Sequence, residues 1–419
     1  MSERPDDIRI PDLAQPVLSA AQRAAIEFAR GVPVRFREDD VLAAACRETG
    51  LSDFGAADFR VRLRVWLQAV EEDGELNALG RLGVYSSCVR ALANRLRVED
   101  LLRRRPEILD VAIEKPIIVV GLPRSGTTHL VNLIAADSRL RSLPYWESLE
   151  PVPVPGEGPG RDGRDPRYLR CLRSYEQMIA QMPLITAMHD MPPEHVHEEI
   201  ELQELDVATY LLEWLARAPR WRDFYLSLDL RSSYGYLRKV LQVLTWLRGP
   251  CRWVLKSPQH LEQLGPLLDV FPDATIAITH RDPVSVLRSA ITMLAYGDRV
   301  RRTRVDLDGL ASYWIDRTER LLRACVRDRD RVPAAQSIDV PFHDLMADDV
   351  GMVARIYAKA GLDLTEGAGA ALARFAAENA RGKHGQVVYD LQADFGLDPA
   401  AVRERFGFYF ARFPVRVEA

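Results

Sequence analysis

The sequence has few cysteines, and none of them form a closely spaced pair. The five cysteines are Cys46, Cys88, Cys171, Cys251 and Cys325. Structural zinc sites and thiol redox motifs both need cysteines close together in the chain, so this spacing argues against either kind of site. Scattered, unpaired cysteines are typical of a reducing compartment, and we therefore predict an intracellular protein.

The sequence also lacks a large excess of either charge. It contains 56 lysines and arginines against 60 aspartates and glutamates, which gives a formal net charge of −4 over 419 residues. A protein that binds nucleic acid or an anionic membrane through its overall field needs a clear positive excess. We therefore predict no nucleic-acid partner, and any anion-binding site must be local.

Long apolar runs are absent as well. No stretch reaches the length needed to span a bilayer, and the first ten residues, MSERPDDIRI, lack the apolar region of a signal peptide. We therefore predict no integral membrane segment and a cytoplasmic location.

The most informative stretch is residues 115–136, KPIIVVGLPRSGTTHLVNLIAA. Residues 117–120 are β-branched and too few for a helix, so they predict a buried strand. Gly121 and Gly126 let the backbone turn tightly before a helix at 129–136. The free amides of residues 125–128 then lie at the positive end of the helix dipole, an arrangement that binds an anion.

This loop differs from the nucleoside-triphosphate loop at one decisive position. After the second glycine, that motif requires a lysine for the outer phosphates, followed by a hydroxyl for magnesium. Thr127 stands at the lysine position here, and the cation is Arg124, inside the loop. The anion is therefore approached by a positive charge from another side.

The rest of the chain predicts an α/β fold, with a parallel sheet flanked by helices and helical segments at both ends. Apolar residues at helical spacing fill residues 1–110, which we interpret as a helical N-terminal cap on an α/β domain at 111–419. Within that domain, the proline- and glycine-rich residues 151–166 predict a loop. Residues 194–246 predict a helical insertion on the substrate side, beginning with a helix at 194–206.

Basic residues follow three of the predicted strands. Arg124 follows the strand at 117–120, Lys256 the strand at 252–255, and Arg281 the strand at 274–279. A fourth strand is predicted at 337–340. Ligands of parallel sheets bind beyond the carboxyl ends of the strands, so these three cations should meet over one crevice.

These motifs resemble those of sulfotransferases that use 3'-phosphoadenosine 5'-phosphosulfate, closest to the bacterial group related to tyrosylprotein sulfotransferases. Residues 123–128 resemble the family's 5'-phosphosulfate loop in an arginine form, and RDPVSVLRS at 281–289 resembles its 3'-phosphate motif. Residues 256–258 resemble a Lys-x-Pro strand end, and 342–345 a motif whose aromatic residue lies near adenine. The resemblance spans roughly residues 110–419 and implies these donor-binding residues: Arg124, Ser125, Gly126, Thr127, Thr128, Arg281, Ser289, Phe342, and Arg381 and Lys383 of a C-terminal basic loop.

Sulfuryl transfer requires positive charge near the leaving oxygen and a base for the attacking hydroxyl. Arg124 and Lys256 are the candidates for the first role, and no metal is implied. For the base, the cluster after Pro192 and Pro193 offers Glu198, Glu199 and His197. One of the two adjacent glutamates must point away from the site.

Two other functions remain open from the sequence. One is a P-loop kinase of small molecules, and the other is a nucleotide-binding protein without catalysis. The acceptor is predicted only as a small molecule or lipid, because aromatic and aliphatic stripes such as 210–221 are more typical of a core than of a pocket. The oligomeric state is not readable from the sequence.

Overall fold

The computed structural model describes residues 7–73, 75–160, 162–379 and 386–418. Its strands are β1 (Asp7–Ile8), β2 (Ile117–Val120), β3 (Leu140–Arg141), β4 (Leu143–Pro144), β5 (Val196–His197), β6 (Arg252–Ser257), β7 (Thr275–His280), β8 (Ser337–Pro341) and β9 (Gln386–Val387). Short 3₁₀ helices lie at Pro106–Asp110, Pro258–Glu262, Arg329–Arg331 and Ala334–Gln336.

The α-helices are distributed along the whole described chain. They are α1 (Ala20–Arg30), α2 (Glu38–Thr49), α3 (Phe59–Asp73), α4 (Ala78–Arg104), α5 (Thr127–Ala135), α6 (Tyr145–Leu149), α7 (Pro166–Gln181), α8 (Ile185–His189), α9 (Ile200–Glu204), α10 (Leu212–Leu215), α11 (Pro219–Leu226), α12 (Arg231–Arg248), α13 (Leu264–Val270), α14 (Pro283–Arg301), α15 (Leu307–Asp328), α16 (Phe342–Ala347), α17 (Asp349–Ala360), α18 (Glu366–Glu378), α19 (Leu391–Phe395), α20 (Pro399–Glu404) and α21 (Gly407–Arg412).

The main sheet is parallel throughout, with the strand order β3-β6-β2-β7-β8. In its centre, Val120 lies opposite Ser257 of β6 and Ile278 of β7. The ends of β2, β6 and β7 therefore lie side by side at one edge, which is where the sequence predicts the ligand crevice. The predicted α/β class with a parallel sheet is confirmed.

Helices cover both faces of this sheet because its strands are buried on both sides. Ile118 and Val120 belong to one apolar core, and Ile117 and Val119 belong to the other. A β-branched run without polar alternation is the pattern expected of a strand covered on both faces. The faces of β2 are therefore apolar, and polar chemistry is expected in the loops at the carboxyl edge.

The N-terminal helices α1 to α4 pack into the larger of the two cores. Phe59 and Trp66 of α3 are fully buried there, together with α12 and α14 residues. Asn77 caps α4 by accepting from the Leu79 and Gly80 amides, and its amide donates to Val300 O and Arg302 O at the end of α14. These helices are therefore joined to the α/β part by a shared core and by polar bonds.

The prediction of a helix over 194–206 is wrong in its first half. Val196 and His197 form β5, which pairs antiparallel with β4, and the helix begins only at Ile200. The carbonyls of Pro193 and His195 accept from the Trp146 and Tyr145 amides, at 3.2 and 2.9 Å. Because these carbonyls bond across to another segment, the chain stays extended. The apolar pattern around residues 194–206 does not reveal this pairing, because residues 145 and 146 lie about fifty positions away in the sequence.

Residues 151–165 contain no helix or strand in the described part, which leaves out Arg161, and α7 begins at Pro166. Arg170 of α7 forms ion pairs with Glu150 and Glu157, which hold this loop against the helix. Across the described residues, none of the helices has both the length and the apolar composition to cross a membrane.

Candidate active site

The loop between β2 and α5 presents backbone amides at the start of the helix. Arg124 and Gly126 have φ values of 69° and 92°, both in the left-handed region, and Gly126 is the N-cap of α5. The buried Ser125 hydroxyl donates to Leu122 O at 2.6 Å and lies 2.7 Å from Thr279 Oγ1. These bonds fix the loop at the positive end of α5, which favours an anion.

The first turn of α5 completes this loop. Thr127 and Thr128 are its first two residues, and the Thr127 side chain is buried. Gly121, at the other end of the loop, lies against β7, because a Cβ there would be 1.9 Å from Thr279 Oγ1. Only glycine allows the backbone to come this close to the neighbouring strand.

The side chain of Arg124 crosses the crevice above the loop. It donates to Met188 O at 2.5 Å, to Ser289 Oγ at 2.8 Å and to Tyr389 OH at 3.5 Å. Among the described residues, these hydrogen-bond partners are all neutral. Burial lowers the pKa of Arg124, and the nearby charge of Arg281 acts in the same direction. The crevice therefore holds a positive charge that its protein partners do not neutralise.

Arg281 lies beside Arg124 and is engaged on three sides. Its Nη1 donates to Arg124 O at 2.7 Å, and its Nε and Nη2 donate to the Glu418 carboxylate at 2.8 and 2.7 Å. The guanidinium also lies over the Phe342 ring, 4.0 Å from the centroid. That ring is close to the loop as well, because a Cβ on Gly126 would be 3.1 Å from it.

Asp282 and Ser289 bond α14 to the residues around Arg124 and Arg281. Asp282 accepts from the Val284 amide as N-cap, with Pro283 following as predicted, and it also accepts from the Glu418 amide and from Arg403. Ser289, two turns further along α14, reaches Arg124 Nε. The structure thus brings together Arg124, Arg281, Ser289 and Phe342, four of the residues predicted to bind the donor.

Lys256 is buried on β6 and meets the first of the two adjacent glutamates. Its ammonium forms an ion pair with Glu198, whose side chain is 17% exposed. The pair lies at the same edge of the sheet as Arg124, because Lys256 lies opposite Val119 of β2. Glu198 is therefore the predicted base candidate that combines partial exposure with a direct contact to a predicted catalytic cation.

Glu199 points away from the crevice and into the core. It is fully buried, accepts from the Lys256 backbone amide at 2.8 Å, and lies 2.6 Å from His260 Nε2. His197 is also enclosed: its Nε2 lies 2.6 Å from Glu201, and its ring is tilted against that of Tyr145, with 4.5 Å between the centroids. Both were predicted as base candidates, and their geometry favours supporting roles.

Burial acts on the His197 and Glu201 pair in opposite directions. It lowers the pKa of His197 and raises the pKa of Glu201, so the pair is held in its uncharged form. An uncharged Glu201 can donate to His197 Nε2. This ring nitrogen is then occupied and does not accept a proton from a substrate.

Two further histidines, His189 and His195, lie in the region between Arg124 and Lys256. The His189 and His195 rings are 5.6 Å apart, as are those of His195 and His197. Burial lowers the pKa of His189, and the charges of Arg124 and Lys256 both add to this shift. His189 therefore lies within electrostatic reach of both cations. Sequence reasoning missed His189, because it precedes the Pro192-Pro193 break and the base candidates were sought only after that break.

Three other contacts had no clear sequence signal. Glu418, Tyr389 and His260 all contact predicted site residues but lie outside the motifs on which the predictions rested. The nearness of His260 to the Lys-x-Pro strand end was the one available hint. Arg381 and Lys383, predicted to bind the donor, lie outside the described residues. His129, next to the loop, has its Nε2 3.0 Å from Asp349 Oδ2.

Comparison with protein families gives a match over most of the α/β part. The model of a family described as the sulfotransferase family matches residues 116–366, more than half of the chain. The chain belongs to the sulfotransferase family. The membership predicted from the motifs is thereby confirmed, and the kinase and non-catalytic alternatives are not favoured. A sulfotransferase implies a sulfuryl donor.

Curated relatives of this sulfotransferase include the omega-hydroxy-beta-dihydromenaquinone-9 sulfotransferases Stf3 of Mycobacterium bovis and Mycobacterium tuberculosis. Each is 25% identical over 266 residues, which are 60% of this chain and 64% of the relative. The match thus spans less than two thirds of the length of these relatives.

Two solved sulfotransferases share the fold over nearly their whole length. STF1 from Mycobacterium tuberculosis H37Rv is 32% identical with a TM-score of 0.77, covering 88% of this chain and 98% of that protein. STF9 from Mycobacterium avium is 26% identical with a TM-score of 0.80, and the match covers 91% of this chain and 97% of that protein. The shared region includes the helical N-terminal part, because each match covers far more than residues 116–366.

We expect the folded protein to lose stability as the pH falls below about 6.5, because its buried histidines resist protonation. Burial, with the charge of Lys256, lowers the pKa of His195 to about 2 from an ordinary 6.5. The unfolded chain therefore binds a proton that the folded chain does not, so stability is present above 6.5 and is lost on acidification.

For His195→Gln, the loss of unfolding free energy between pH 7 and pH 5 should be smaller than in the parent by about 1 kcal/mol. This value allows for a ring that is only partly buried. Urea unfolding at both pH values measures the difference. The control is Gln392→Asn, a substitution between two neutral residues at an exposed position. An equal loss in parent and His195→Gln would contradict the expectation.

Proposed function

We propose that this protein transfers the sulfuryl group of 3'-phosphoadenosine 5'-phosphosulfate to a hydroxyl, or an amine, of a small-molecule or lipid acceptor. The observation that carries the proposal is the position of Arg124. It lies in the loop at the N-terminus of α5, its partners are neutral, and a second arginine adjoins it. Such a site is completed electrostatically by a ligand with several negative charges.

The residues around the crevice fit this donor chemically. The amides of residues 126–128 at the start of α5 suit the 5'-phosphosulfate, as in other helix N-terminal anion sites. The Ser125 amide, predicted to be free, instead donates to Leu122 O at 3.2 Å. Arg281 and Ser289 suit the 3'-phosphate, since a guanidinium and a hydroxyl can bind one phosphate from two sides. Phe342, which lies beneath Arg281 and against Gly126, would border the adenine with its ring.

When bound, the donor supplies the sulfuryl group and carries the negative charge that develops at its leaving oxygen. Arg124 and Lys256 provide positive charge at the edge of the sheet where that oxygen would lie. Positive charge held in place in a partly water-excluded site stabilises the transition state without reorganisation during the reaction. We assign both residues to this role.

We assign the general base to Glu198. Its carboxylate is partly exposed and contacts Lys256, whereas Glu199 is fully buried and His197 is engaged by Glu201. In this assignment Glu198 accepts the proton of the acceptor hydroxyl while that oxygen attacks sulfur. The Lys256 ammonium then lies beside both the base and the group that leaves.

For the acceptor we favour a hydroxylated lipid. The curated relatives named above act on a menaquinone derivative, and this is the only support for the class. The predicted cytoplasmic location and the relation to the tyrosylprotein branch stay predictions.

The proposal is tested by incubating the purified protein with sulfur-35-labelled donor and a lipid extract. We expect Arg124→Gln and Glu198→Gln to lower kcat by about 10²- to 10³-fold, because each removes a group that acts chiefly in the transition state. The exposed Arg231, which pairs with Asp229 and Asp269, offers a control. Arg231→Gln should keep parental turnover. Parental kcat in Glu198→Gln would refute the base assignment.

The Glu418 contact generates a separate expectation for the donor site. Because the Glu418 carboxylate occupies two donors of Arg281, a 3'-phosphate must displace it. Glu418→Gln should therefore tighten binding of adenosine 3',5'-bisphosphate by about fivefold, the size of a partly exposed ion pair. Calorimetric titration measures this change. Glu404→Gln, at an exposed site on α20, should bind like the parent, and weaker binding by Glu418→Gln would disprove the competition.

A further inference from the structure

A buried chain of three side chains runs from the crevice into the core. The Glu199 carboxylate lies 2.6 Å from His260 Nε2, and the opposite ring nitrogen, Nδ1, lies 2.7 Å from the Tyr234 hydroxyl. All three side chains are fully buried. They come from three separate elements: the segment after β5, the 3₁₀ helix after β6, and α12.

The second Glu199 oxygen fills a gap in the sheet. β3 pairs with β6 only at Arg252 and Trp253, so β6 has no strand partner on that side further along. There the Lys256 amide donates to Glu199 Oε2 at 2.8 Å. The carboxylate thus takes the place that a strand carbonyl would have, and it satisfies a buried amide that would otherwise lack a partner.

The adjacent residues Glu198 and Glu199 therefore both bond to Lys256, each through a different part of the lysine. Glu199 holds the Lys256 backbone, and Glu198 holds its ammonium. The segment that carries both glutamates lies between the two-residue strand β5 and the buried helix α9. Within this segment, the Glu199 side chain is the group that bonds to the Lys256 backbone, so it acts directly on the distance between Glu198 and Lys256.

We propose that Glu199 and His260 are positioning residues, which set the Glu198 carboxylate and the Lys256 ammonium at the separation that sulfuryl transfer requires. This inference rests on the proposed function, because it assigns the roles of base and cation to Glu198 and Lys256. Tyr234 extends the support by fixing the His260 ring.

The test compares Glu199→Ala with Glu199→Gln. The alanine removes both bonds, whereas the glutamine oxygen can still accept from Lys256 and its amide can donate to His260. We expect Glu199→Ala to lower kcat by at least tenfold, with the KM for the donor changed less than twofold, and Glu199→Gln to restore most of the turnover. A residue that only supported the fold would lower the Tm without this split between kcat and KM.

Tyr234→Phe tests the outer end of the chain and keeps the carboxylate, in case Glu199→Ala does not fold. It should lower kcat severalfold. Tyr357→Phe is the matched control, because it also removes a buried tyrosine hydroxyl from a side-chain hydrogen bond, in this case to the Asp137 carboxylate at 2.9 Å. Asp137 follows α5 at the end opposite the loop, so this variant should keep parental kcat even if its Tm falls. Equal kcat in both tyrosine variants would overturn the proposal.

A structural readout separates this inference from the proposed function. If the parent transfers no sulfuryl group to any acceptor, the proposed function fails, yet the positions of Glu198 and Lys256 can still be measured. Crystal structures of the parent and of Tyr234→Phe or Glu199→Ala should show the Glu198 to Lys256 contact kept in the parent and broken or lengthened in the variant. An unchanged contact would refute positioning, whatever the activity.

Discussion

Positive charge gathered at the carboxyl ends of three adjacent parallel strands is the constraint on which the rest of this structure depends. Each of β2, β6 and β7 ends in a segment that contributes one cation, and the strand register sets those ends side by side. These like charges repel one another, and polar groups of the protein stabilise them. Carbonyl and hydroxyl oxygens surround Arg124, and carboxylates pair with Lys256 and Arg281. A polyanionic ligand would relieve the remaining repulsion.

The parts of the chain outside the sheet serve this edge in different ways. α8 contributes the Met188 carbonyl to Arg124, and α14 contributes Ser289. α12 lies behind β6 and supplies Tyr234, while the N-terminal helices bury its opposite side. The helical additions thus form one core with the sheet, and they bring neutral and acidic partners to cations that a bare sheet would leave exposed.

The strand ends and the loop between β2 and α5 were predictable from sequence because local patterns determine them. β-branched runs, Gly121, Gly126 and the Asp282-Pro283 cap each act through neighbours in the chain. The orientation of the two adjacent glutamates was not predictable in this way. It depends on an amide of β6 and on His260, residues about sixty positions away, so no periodicity around residue 198 reveals which carboxylate faces the crevice. The extended conformation of β5 was not predicted either, because it also depends on bonds to a distant segment, residues 143–146.

The contact between Glu418 and Arg281 would act on nucleotide release if Arg281 binds the 3'-phosphate as proposed. The Glu418 backbone is held by Asp282 and Arg403 next to the arginine, so its carboxylate stays at high effective concentration. As the phosphate of such a ligand loosened, this carboxylate would take over the guanidinium stepwise, one hydrogen bond at a time. Departure would then not require a bare cation, and a group that belongs to the protein itself would lower the barrier to release.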